Sequence, residues 1–185
     1  MAHVTLDGVI QHENTEDFAY GNWTTPFLSP AGLEAVIEAQ GNRFDLLLGR
    51  HTYDLWADYW PKAGNSPIAN SINAATKYVA THRPDSLEWG PVKDLGTDIT
   101  ESIRSLKSTD GSDLIVWGSS TLTSVLLEQR LADEVVLLIY PVLLGRGKRF
   151  FSDSVDPCEL AFVSTKVTPT GVMINTYRPA GALRS

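Results

Sequence analysis

Phe44-Asp45-Leu46-Leu47-Leu48, running into Gly49-Arg50-His51-Thr52-Tyr53, is the stretch on which the reading of this chain turns. The apolar run reads as a buried strand. The glycine breaks it, and the pattern predicts a helix from near Thr52 to Tyr59, ending before Pro61. A strand-to-helix junction of this kind aims free backbone N–H groups and the positive end of a helix dipole at one spot, where phosphate groups bind. Many such units carry a glycine for steric reasons only, so one junction alone has little force. It gains force from a second, where the predicted strand Asp113 to Trp117 meets Gly118-Ser119-Ser120-Thr121 and a helix from Thr121 to Gln129.

Outward from these junctions the chain alternates strands and helices. Val4 to Ile10 reads as a short first strand interrupted at Asp7-Gly8. Ser29-Pro30 starts a helix, with serine as cap and proline in the first turn, and Gly41 stops it. Lys77 to Ala80 is a short strand leading to Thr81-His82-Arg83-Pro84. Asp98 and Glu101 have capping-box spacing for a helix to about Ser108. Glu134 to Tyr140 is a buried strand, and Leu160 to Val167 with Val172 to Tyr177 flank Thr168-Pro169-Thr170-Gly171 as a closing hairpin. The expected fold is α/β: a three-layer αβα sandwich on a mostly parallel sheet with a C-terminal antiparallel hairpin, forming one domain over residues 1–185.

Composition narrows the function. An apolar fraction of 43% places the chain among globular proteins, and a net charge of −7 with scattered basic residues disfavours nucleic-acid or anionic-membrane partners. The one cysteine, Cys158, excludes an intrachain disulfide, reads as a strand-edge residue, and suits a cytoplasmic location. No signal peptide is visible, and the longest apolar run, Val135 to Leu144, is too short for a membrane span and contains Pro141. The four histidines have no ligand spacing with one another or with Cys158, so no metal site is expected. Gly145-Arg146-Gly147 opens no helix and reads as a basic tight turn; Asp133-Glu134 reads as a solvated turn.

In a parallel sheet three strand ends share one edge: Gly49 to Thr52, Gly118 to Thr121, and Thr81-His82-Arg83. Arg50 and Arg83 offer planar forks for phosphate oxygens. Two helix starts for a pyrophosphate and a basic group for one further phosphate suit NADP. Trp56, Tyr59 and Trp60 are either core or a wall for a flat ligand.

Phe44 to Trp56 resembles the cofactor-binding strand and helix of dihydrofolate reductases. Over most of its length the chain is similar to a broader relative, the group containing the C-terminal reductase domain of the riboflavin-biosynthesis deaminase/reductase. Leu6 to Ile10, Leu114 to Gly118, Leu131 to Glu134 and Pro141 to Phe151 carry that resemblance. It implies an NADP(H)-dependent reductase that passes hydride to a C=N or C=O group of a small, pteridine- or pyrimidine-like substrate. Carried over, Gly49, Arg50, His51 and Thr52 hold cofactor phosphates, and Thr81 with His82 or Arg83 meets the 2′-phosphate. Val116 belongs to the same cofactor set, and Gly118, Ser119, Ser120 and Thr121 cradle the pyrophosphate. Asp7 is the candidate proton relay and, with Trp56 and Tyr140, a substrate contact; its alternative role is to cap the turn with Gly8. Homodimers through the C-terminal strands are implied, with Val135 to Leu144 as the apolar surface.

The sequence departs from that pattern in three places. Pro30-Ala31 is followed by Gly32-Leu33, so the carboxylate that dihydrofolate reductases carry early in this helix is missing. The paired glycines appear as Gly118-Ser119. The first strand is clipped, which would weaken a sheet edge or make it lean on a partner chain. Two further readings stand beside the reductase: a non-catalytic NADP-binding sensor that lost the chemistry, and a structural dimer module whose glycines are steric.

Overall fold

Leu46 and Leu48 pack in one core cluster with Ala35, Tyr53 and Ile72, while Leu47, pointing the other way, packs with Ile103, Leu122 and Leu126. One strand buried on both faces by helices makes the three layers expected from its continuous apolar run. The computed structural model describes residues 1–151 and 156–183. In chain order its elements are β1 (Ala2–Thr5), α1 (Pro30–Gln40), β2 (Phe44–Gly49), α2 (Arg50–Tyr59), α3 (Pro67–Ala74), β3 (Lys77–Ala80) and β4 (Val92–Asp94). Then follow α4 (Ile99–Lys107), β5 (Asp113–Val116), α5 (Ser120–Glu128), β6 (Val135–Tyr140), β7 (Cys158–Val167) and β8 (Met173–Ala182). Among the described residues no helix is long and apolar enough to cross a membrane.

The strands order as β4-β3-β2-β5, all parallel, and as β1-β6-β8-β7, where β1 pairs parallel with β6 and the last two strands run antiparallel. Met1 joins the two sets: its N donates to Val116 O at 2.7 Å and its O accepts from Gly118 N at 3.2 Å. The clipped first strand is therefore no weak edge. It is shorter than Val4 to Ile10, and it is held between β6 and the end of β5. Val9 lies past the Gly8 turn and bridges to Arg149 instead.

Local chemistry explains most boundaries. Ser29 Oγ accepts from Gly32 N at 3.0 Å at the start of α1, and Asp98 Oδ1 accepts from Glu101 N at 2.9 Å at the start of α4. Helix α2 begins at Arg50, ahead of the expected Thr52. Helix α3 and strand β4 lie outside the sequence expectations, although Ser66-Pro67 repeats the Ser-Pro start of α1 and Ser66 Oγ caps Ala69 N at 3.3 Å. Asp133 and Glu134 are the solvated pair expected, bound by Lys107 and Arg178 respectively.

The Val135–Leu144 run is divided: its β6 part is largely buried, whereas Leu143 beyond it is 73% exposed. Val135, Val136, Leu137, Leu138 and Tyr140 are all buried within the chain. Strand β6 is paired between β1 and β8, and among the described residues the exposed large apolar groups of the C-terminal strands are Phe162, Val163 and Val167 on β7.

Among the described residues Lys77 is the one buried side chain of a charged type. It is wholly buried, lies 4.2 Å from the centre of the Trp89 ring, and donates to Asn73 O at 2.6 Å. Burial pulls its amine down to about 8, with Asp45 pulling the other way. Between that value and the ordinary 10.5 the unfolded chain binds more protons than the folded one, so stability must rise with pH across this window. In urea unfolding, the stability of the wild-type chain relative to Lys77→Met is expected to increase by roughly 2–3 kcal/mol from the bottom to the top of that window. A flat difference would mean that the amine is not held out of water.

Candidate active site

The register of the central strands decides where the site forms. Leu47 stands opposite Val116, so Gly49 and Gly118 end their strands at one level, and Gly49 stands opposite Ala80 on the other side. Three strand ends thus reach one edge together, each followed by the segment singled out in the sequence. They open on a cleft of about 1760 Å³. That exceeds the few hundred to 1,000 Å³ typical of a single small-molecule pocket, and leaves room for two ligands side by side.

The two junctions touch. A side-chain carbon added at Gly49 would meet Ser119 Oγ at 2.6 Å and Ser119 Cβ at 3.4 Å, so the start of α2 lies directly against the start of α5. Ser119 takes φ 55° and Gly118 φ 65°, a pair of left-handed residues that turns the chain sharply before α5. Capping separates these two helices from the others. Helices α1, α3 and α4 each have a serine or aspartate side chain bonded to an early N–H. Helices α2 and α5 have none, so their first N–H groups remain available at the cleft.

Of the residues expected in the site, Gly49, Arg50, His51, Thr52, Thr81, His82, Arg83, Gly118, Ser119, Ser120 and Thr121 line the cleft, as do Trp56 and Tyr140. Arg50 is spent on structure. Its Nε donates to both Asp54 oxygens at 2.8 and 2.9 Å, and one terminal nitrogen bonds Arg83 O at 3.0 Å and Ser86 Oγ at 2.7 Å. Arg83 is the more available guanidinium, 68% exposed with a single ion pair to Asp54 at 3.6 Å. Val116 does not line the cleft; its carbonyl anchors Met1.

Asp7 is also outside the cleft. Its carboxylate accepts from Thr5 Oγ1 at 2.6 Å, Gly145 N at 2.6 Å and Leu144 N at 3.3 Å. Desolvation pushes the carboxyl up, but these hydrogen bonds outweigh it and hold the group below the usual carboxylate range. Asp7 fastens the end of β1 to the Leu144-Gly145 turn, a contact different from the Gly8 turn cap weighed beside the relay.

The deeper wall contains a group the sequence did not single out. His3 Nδ1 lies 2.7 Å from Tyr140 Oη, and the His3 ring stacks on Trp117 at 5.4 Å. Burial, together with nearby His12, lowers His3 to about 3, and burial raises Tyr140 to about 12. Both side chains are therefore neutral throughout the physiological range. His3 was legible only as one histidine in a short strand. Its pairing with Tyr140 needs the parallel β1–β6 register, which places Thr5 opposite Tyr140 and His3 on the next strand over.

A mostly parallel sheet, helices on both faces, an antiparallel closing hairpin and a strand-end cleft make this an α/β protein, with the fold of dihydrofolate reductase among its structural matches. Residues 1–174 match the RibD C-terminal domain family, and the chain belongs to it. It is 29% identical over 180 residues to the uncharacterised protein YyaP of Bacillus subtilis, covering 94% of this chain and 90% of that one. Its fold matches a candidate riboflavin biosynthesis protein from Shewanella sp. PV-4 with a TM-score of 0.66 at 19% identity, covering 96% of each chain. It also matches the dihydrofolate reductase of Enterococcus faecalis, solved with NADP(H), at a TM-score of 0.61 and 19% identity over 97% of this chain and 94% of that one.

The contact between the junctions is open to a double-mutant cycle. Gly49→Ala is expected to lower stability by about 1–3 kcal/mol, as overpacking does. Ser119→Gly, which removes the obstructing oxygen and suits the positive φ, is expected to restore most of that loss in the double variant. Additive effects in thermal unfolding would show that the junctions do not meet.

Proposed function

We propose that this chain is an NADP(H)-dependent reductase acting on a C=N or C=O group of a small planar substrate. The observation that carries the reading is the pair of abutting, uncapped helix starts at one edge of the cleft. The N–H groups around Gly49 to Thr52 and Gly118 to Thr121 would receive the cofactor's pyrophosphate. Arg83, with Thr81 and His82 beside it, would meet the 2′-phosphate. Arg50 acts as the strut that holds this segment against α2. When bound, the reduced nicotinamide supplies hydride.

The chain's own residues would position the substrate and manage its proton. The side chains of Trp56 and Trp117 supply flat apolar walls. Asp7 is fixed elsewhere, so Tyr140 Oη, held by His3, is the O–H group of the inner wall able to donate to a substrate atom. His3 acts as a positioning residue that sets the hydroxyl's direction. The absence of a carboxylate early in α1 gives the sensor reading its one support, and turnover separates the two: an enzyme consumes NADPH when substrate is added, whereas a sensor only binds it. For the oligomer, the exposed Phe162, Val163 and Val167 on β7 support a homodimer through that face. A small-molecule reductase with one exposed free thiol, Cys158, suits the cytoplasm.

Titration of the protein with NADPH and NADH, followed by tryptophan fluorescence, is expected to show preference for NADPH. Arg83→Ala should weaken NADPH binding about 10- to 100-fold, the worth of a charge-assisted contact, and leave NADH unchanged. Failure to bind either dinucleotide would overturn the cofactor assignment.

A further inference from the structure

Among the described residues a single carboxylate lines the cleft, and it stands where a phosphate would be received. Glu13, in the segment between β1 and α1, places Oε1 3.4 Å from Nε2 of His51, the second residue of α2. The other charged lining side chains, Arg50, Arg83 and Lys148, are basic. Asp54 has a different part: Arg50 occupies both its oxygens, and it does not line the cleft. Helix α2 has no side-chain cap, so its start presents open N–H groups and the positive end of a dipole. The protein's own carboxylate has come to that end. It faces α2, away from the hydroxyl of Tyr140, so it belongs with the phosphate end of the cleft.

The chain on either side of Glu13 is pinned. His12 O accepts from Asn22 N at 3.1 Å, and the His12 ring lies 4.7 Å from that of Trp23. Asn14 Oδ1 accepts from Gly21 N at 2.7 Å. Gln11 accepts from Trp23 Nε1 on its backbone oxygen at 2.7 Å and from Lys148 N on its side-chain oxygen at 3.1 Å. The backbone thus presents Glu13 at a fixed place, while its side chain can turn toward solvent. The pair it makes is open, with His51 76% exposed and Glu13 39%, and an ion pair of that kind adds little to stability. Its charge acts far more strongly on an arriving anion. At about 6 Å in water, two like unit charges weaken binding roughly threefold, and more where the protein lowers the dielectric. A pyrophosphate bridge brings two such charges.

We propose that Glu13 is a built-in competitor at the phosphate site: its carboxylate and the ligand's phosphate exclude one another at the start of α2, and binding of one displaces the other. The proposal rests on the cofactor reading for the identity of the ligand, but it needs only that a phosphate binds at α2. Glu13 then holds cofactor affinity down, which lets the dinucleotide leave after each turnover. Removing its charge tightens the binding of anions and leaves the fold intact.

The test measures binding of inorganic pyrophosphate and of NADPH to the full chain by isothermal titration calorimetry, in magnesium-free buffer at low salt. Glu13→Gln keeps the side chain's size and removes its charge. Glu16→Gln makes the same change in net charge at an exposed position of the same loop that does not line the cleft. Glu13→Gln is expected to tighten both ligands about 3- to 10-fold, with the gain shrinking as salt is added. Glu16→Gln is expected to change either affinity by less than about twofold, because its charge is screened by solvent. A purely structural Glu13 would move the thermal midpoint without tightening either ligand. Unchanged or weaker pyrophosphate binding in a folded Glu13→Gln, or equal tightening by Glu16→Gln, would overturn the proposal. Pyrophosphate tightened by Glu13→Gln with no binding of NADPH would support it while overturning the reductase reading. NADPH bound equally by the wild type and Glu13→Gln would overturn the proposal alone. If neither ligand binds either protein, both fall.

Discussion

Everything at the functional edge of this molecule depends on the contact between Gly49 and Ser119. Strands β2 and β5 are locked in parallel register by apolar side chains that face helices on both sides. That register fixes where each strand stops, and the helices begin at once beyond it. The two helices start close together where one junction has no side chain and the other bends through left-handed backbone. The sequence meets both demands with Gly49 and with Gly118-Ser119. The core thus sets the spacing of the N–H groups at the cleft, and binding there requires little rearrangement.

The same economy shows in the caps. Three helices away from the junctions use serine or aspartate to satisfy their first turn, and two at the junctions do not. A side-chain cap at Gly49 or Ser119 would contribute about 1 kcal/mol to the fold, but it would occupy the N–H groups that an anion needs. The uncapped starts are local losses of stability concentrated at one edge of the sheet. Arg50 makes up part of that loss by tying α2 to the Arg83–Ser86 segment, which is why it stands among the site residues without being free to bind.

Legibility in the sequence followed the range of the interaction. The two junctions, the caps at Ser29 and Asp98, and the closing hairpin are set by neighbours in the chain, and the residues at them declare it. The place of β1 was hidden because its partners, β6 and the end of β5, lie more than a hundred residues away. Strand β4, Val92-Lys93-Asp94, carries no pattern of its own and exists because β3 offers it a ladder. Helix α3 could have been found from Ser66-Pro67 and the spacing of Ile68 and Ile72. The residues brought to the cleft by strand ends were legible one by one. Asp7 was not, because its position next to a turn says nothing about the distant Leu144 and Gly145 N–H groups that claim it.

The fate of Asp7 also bears on chemistry. A carboxylate with three hydrogen bonds to its oxygens is stabilised in its charged form, which makes it a poor proton donor near neutral pH. The early positions of α1, Pro30 to Leu33, carry no acid either. The inner wall instead offers a phenol and an imidazole, both kept neutral by burial and joined by one hydrogen bond. A neutral donor pair needs no counter-charge and can sit among tryptophans at small desolvation cost, whereas a buried carboxylate could not.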